Sequence, residues 1–107
     1  MRDFNNVWEE ILRHNKKTIK TLTRKKPNQI IDITPDGDII VTTEDGTDTV
    51  KKAWVEQAWN TLVENTIIVD DDLPAPARHR SSFIMALLSK LDGVQAKQAI
   101  RLKKDKR

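Results

Sequence analysis

At 107 residues, with no cysteine and only two histidines, the chain has room for one modest core and none for disulfides, thiolate nucleophiles or cysteine-held zinc. A hydrophobic fraction of 37% beside 33% charged residues, with three tryptophans at regular apolar spacing, excludes a disordered chain. No apolar run approaches the roughly 18 residues of a membrane span, and Met1-Arg2-Asp3 lacks the apolar core of a secretory leader, so a cytoplasmic location is expected.

Phe4, Val7, Trp8, Ile11 and Leu12 fall on one face of a helix, and Asp3 stands where an N-cap belongs. Near Asn15 the pattern changes, and the β-branched residues of Thr18-Ile19-Lys20-Thr21-Leu22-Thr23 predict a strand. Pro27 breaks regular structure after Arg24-Lys25-Lys26, and Gln29–Thr34 then reads as a second strand that ends at the turn Pro35-Asp36-Gly37-Asp38. Ile39–Thr43 returns antiparallel, and Glu44-Asp45-Gly46 leads into Thr47–Val50, giving a three- to four-stranded meander.

Trp54, Val55, Ala58, Trp59 and Leu62 then repeat with helical spacing from about Lys51 to Glu64. After the short apolar stretch Thr66–Val69, the run Asp70-Asp71-Asp72-Leu73-Pro74-Ala75-Pro76 reads as a loop. A last helix begins at Ser81 or Ser82, where either serine can cap it, turns Ile84, Leu87, Leu88 and Leu91 inward, and stops at Asp92-Gly93. The expected fold is α+β: an N-terminal helix, an antiparallel meander and two helices packed on the sheet. Residues 1–94 form the domain, and 95–107 are expected as a basic helical extension or a disordered tail.

The net charge of +3 conceals a segregation. Residues 1–26 carry a balance of +5, residues 27–72 one of −9, and residues 73–107 one of +7. If Lys20, Arg24, Lys25 and Lys26 meet Arg78 and Arg80 in space, the chain is strongly dipolar and phosphate is the fitting counterpart. Each cation facing a phosphate releases a condensed counterion, and arginine grips phosphate with parallel donors. The predicted strands hold no aromatic residue on which bases could stack, which disfavours single-strand recognition and leaves duplex backbone contact.

A catalytic reading finds no convincing set. Pro35-Asp36 resembles the start of a nuclease carboxylate motif, but no Asp or Glu stands two residues before a Lys in the strand that follows, and Glu44 leads into Asp45-Gly46. Asp36 and Asp38 belong to a turn, and Asp70 to Asp72 lack the alternating ligands and closing Glu of a calcium loop. His14 falls at a helix C-terminus, where the dipole favours a cation, and His79 between two arginines in a loop. No enzyme activity, cofactor or metal is expected.

The stretches Thr18–Pro27 and Arg80-Ser81-Ser82-Phe83-Ile84-Met85-Ala86-Leu87-Leu88 resemble small accessory domains carried by prokaryotic restriction and HNH-type nucleases, over about residues 18–94. The resemblance implies a non-catalytic module that associates with DNA, with Arg24-Lys25-Lys26 and Arg80-Ser81-Ser82 as contact candidates. The chain departs from that pattern at Asn28, where an aromatic is usual, and shows no nuclease domain of its own. The expected function is therefore duplex DNA binding through phosphate contacts from Lys20, Arg24, Lys25, Lys26, Arg78 and Arg80. The alternative is a protein-interaction or self-associating module with opposed acidic and basic surfaces, favoured by the extra apolar residue in Phe83-Ile84-Met85.

Overall fold

The computed structural model describes residues 3–22, 24–68, 72, 73, 75–96 and 100–102. Helix α1, Phe4–Leu12, starts at Asp3, whose carboxylate accepts the Asn6 N–H at 3.1 Å. It buries Phe4, Val7 and Ile11 at helical spacing. At its other end the His14 ring donates from Nδ1 to the Glu10 carbonyl at 3.1 Å, beside the Arg13 N–H that the same carbonyl accepts at 3.2 Å.

Strands β1 (Thr18–Lys20), β2 (Pro27–Ile33), β3 (Asp38–Thr43) and β4 (Gly46–Lys51) form the antiparallel meander in sequence order. Cross-strand pairing puts Ile19, Ile30, Ile39, Val41 and Val50 on one face, where all five are buried. Thr18, Lys20, Gln29, Thr42 and Thr47 share the opposite face, which points to solvent. A bulge after Ile30 keeps this pattern in phase: Asp32 pairs with Ile40 on the outer face and Ile33 with Ile39 on the inner one. The Lys16 ammonium donates to the carbonyl of Ile31, the residue that leaves the ladder.

Three turns connect the four strands. At the β2–β3 turn, Gly37 adopts φ +93°, and a side chain there would bring its Cβ within 2.8 Å of the Lys52 Cβ. Glycine is required on both counts. The Gly37 carbonyl accepts the Lys52 N–H at 2.9 Å, which fixes the start of helix α2, Lys52–Asn65, against the turn. Lys52 in turn places its ammonium 5.0 Å from the Trp8 ring centroid, joining α1 to the same corner. Helix α2 buries Val55, Ala58, Trp59 and Leu62.

Beyond α2 the chain departs from the sequence expectation. The apolar stretch after Asn65 supplies β5 (Ile67–Ile68), and a 3-10 helix, Ala75–Arg80, runs directly into α3, Ser81–Ser89. Arg80 therefore takes the cap position, with no side-chain capping bond, and neither serine acts as the cap. The basic end is neither helix nor free tail where it is described: Val94–Ala96 and Ile100–Leu102 are β6 and β7, which join β5 in a second antiparallel sheet ordered β5-β7-β6. Ile100 pairs with Ile68 and Arg101 with Ile67, so the backbone groups of β5 find ladder partners instead of being left unpaired.

Helix α3 is buried at six consecutive positions, Phe83 to Leu88. A helix apolar all round belongs in an interior, and α3 packs against β1 of the first sheet and β6 and β7 of the second. Phe83-Ile84-Met85, expected to offer a surplus apolar surface, is thus spent within the core.

Candidate nucleic-acid interface

From Arg13 to Lys26 the chain carries seven lysines and arginines and no acid, and the fold lays this run along one edge of the first sheet. The run leaves the end of α1, forms the edge strand β1 and turns through residues 21–26 into β2. All seven cations are exposed.

The 21–26 turn is organised by its own polar groups. Thr21 donates its N–H to the Lys26 carbonyl at 2.9 Å and accepts the Lys26 N–H on its hydroxyl, also at 2.9 Å. The Lys25 N–H returns to the Thr21 carbonyl at 3.1 Å, with Lys25 itself left-handed at φ 56°. Asn28, buried on the inner face, donates from Nδ2 to the Lys26 carbonyl at 3.1 Å. Asn28 is therefore a bracket for the basic turn. Arg24 and Lys25 are held at the tip with no carboxylate partner among the described residues, and Lys20 projects from the outer face of β1.

The other half of the expected site is engaged differently. Strands β1 and β3 both run toward this end of the sheet, so the turn Glu44-Asp45 lies beside the basic turn. Glu44 comes within 3.4 Å of the Lys26 ammonium. On β4, Asp48 shares the inner face with Val41 at the rim of the core, and Arg80 reaches its Oδ2 from both Nε and Nη2 at 2.6 Å. His79 places Nε2 3.3 Å from the same oxygen and sits edge-on to Trp54, with ring centroids 6.3 Å apart. The Thr49 backbone N–H, donated to Asp48 at 2.8 Å, and then the Arg80 guanidinium hold the Asp48 carboxyl below its ordinary range.

Of the six expected contact residues, the structure gathers Lys20, Arg24, Lys25 and Lys26 along one edge and turn. Arg80 approaches the same end from the far side of the sheet but is held by Asp48. The side chain of Arg78 and the acidic residues Asp70 and Asp71 lie outside the described residues. Sequence reasoning missed Asp48 and Glu44 as partners of the basic residues, because sequence separations of 32 and 18 residues carry no local pattern.

Among the described residues no group of three His, Asp or Glu side chains is placed to hold a metal, and no helix is long and apolar enough to cross a membrane. Comparisons of the chain with protein families, curated proteins and solved structures return no match.

Proposed function

We propose that the domain is a non-catalytic nucleic-acid-binding module that grips double-stranded DNA by its phosphates, along the edge formed by β1 and the 21–26 turn. The observation that carries this reading is the exposed run of seven cations without an acid, of which Lys26 alone faces a carboxylate among the described residues. Lys20, Arg24 and Lys25 are the contact residues. Their alignment on an edge and a braced turn suits the regularly spaced phosphates of a duplex, and the sheet offers no aromatic platform for unpaired bases. Resemblance to accessory domains of restriction and HNH-type nucleases points the same way. A prokaryotic, cytoplasmic setting accords with it.

Fluorescence anisotropy of a labelled random duplex, titrated at about 50 and about 200 mM salt, tests the proposal. Binding is expected at the lower salt and should fall steeply at the higher. The triple variant Lys20→Ala/Arg24→Ala/Lys25→Ala should weaken binding strongly and flatten the log–log salt slope by about 3, close to one for each phosphate no longer neutralised. Absence of binding at low salt, or a variant with wild-type affinity, would reject the reading.

A further inference from the structure

Two cations at this end of the molecule, Lys26 and Arg80, are already bound by carboxylates of the β3–β4 hairpin, Glu44 at 3.4 Å and Asp48 at 2.6 Å. We propose that this hairpin is an internal phosphate mimic: Glu44 and Asp48 occupy the places that phosphate oxygens would take at Lys26 and Arg80, and so hold the affinity for duplex below what the cations alone would give. The inference rests on the duplex-binding reading above.

Three observations carry it. Asp48 receives Nε and Nη2 of Arg80, the donors that a guanidinium also offers to a phosphate. His79 turns its Nε2 to the same oxygen, so that one carboxylate draws on two potential anion-binding side chains. Strand pairing and the Lys26–Glu44 approach put the hairpin tip beside the basic turn, where its charge acts on the same approaching anion.

The two contacts differ in grade. Lys26 and Glu44 are about half and two-thirds exposed, and an exposed pair of this kind is weak, so Glu44 is the lesser of the two restraints. Arg80 is three-quarters covered and its distances are short, so Asp48 yields less easily. The β3–β4 hairpin thereby restrains two cations with different strength, Lys26 at its tip and Arg80 on its inner face.

Duplex anisotropy with Glu44→Gln, Glu44→Gln/Asp48→Asn and the control Asp36→Asn separates this from a simple gain in net charge. Asp36 lies in the turn at the opposite end of the sheet and removes the same charge when neutralised. Glu44→Gln should bind about 3- to 10-fold more tightly at about 50 mM salt, with a salt slope steeper by about 0.9 for the freed cation. The double variant should exceed it, and Asp36→Asn should match the wild type. Equal tightening by Asp36→Asn, or wild-type affinity and slope in Glu44→Gln, would overturn the masking while leaving the duplex reading intact. No binding by the wild type or any variant would overturn both. Glu44 is exposed in a turn, so its substitution keeps the test independent of any loss of fold at Asp48.

Discussion

Asp48 shows how a single residue can tie the site to the stability of the fold. Its carboxylate joins β4 to the end of the 3-10 helix through Arg80, and its folded-state pKa lies below the ordinary value of about 3.8 because the Thr49 N–H and Arg80 favour the ionised form. A depressed carboxylate stabilises the fold above its unfolded pKa, and the contribution is lost as pH falls through the lower, folded value. Stability is therefore expected to decline below about pH 4 in part through this residue. Denaturant unfolding of Asp48→Asn across pH 2 to 6 should show a shallower acid limb than the wild type. An identical limb would separate Asp48 from the acid sensitivity. The Thr49 contact is local, but the tie between β4 and the 3-10 helix forms only once Arg80 arrives from 32 residues further along.

At the scale of elements, the turns and the long helices were legible because their signals are local. The period-3.6 pattern in 54–62 predicts a helix over about 51–64, and α2 spans Lys52–Asn65. Pro35-Asp36-Gly37 and Glu44-Asp45-Gly46 fall at the β2–β3 and β3–β4 turns of the meander. The second sheet was not legible: its strands are two or three residues long, too short to display alternation, and their pairing joins Ile68 to Ile100. The end of α2 offers a test of local strain. Thr66 occupies the left-handed position at φ 61°, where a β-branched side chain is disfavoured by roughly 1–2 kcal/mol. Thr66→Gly relieves that strain at some cost in unfolded-state entropy, and should raise the thermal midpoint by a few degrees in calorimetry, at roughly 4–8 °C per kcal/mol for a domain near this size. A lowered midpoint would mean that the Thr66 hydroxyl, 2.6 Å from the Asn65 carbonyl, outweighs the strain.

Over the whole molecule, the charge segregation was visible in the sequence, whereas the way the fold divides it was not. One basic group lines an open edge, whereas Arg80 of the other is tied down by Asp48 and Arg101 lies in a strand of the second sheet. The two sheets are joined through α3, so they should unfold together. Phe83→Ala, at a position only 2% exposed, should cost about 3–5 kcal/mol, with tryptophan fluorescence and far-UV dichroism reporting one coincident transition in denaturant. Separate transitions would show that the sheets are stabilised independently. The edge strand β1 has a further consequence for the protein in bulk. A strand with one open edge invites a second copy to add its own, and a short strand flanked by lysines resists this by mutual repulsion. The cations proposed to draw a duplex would therefore keep neighbouring molecules from extending the sheet, and the protection would be weakest in concentrated salt.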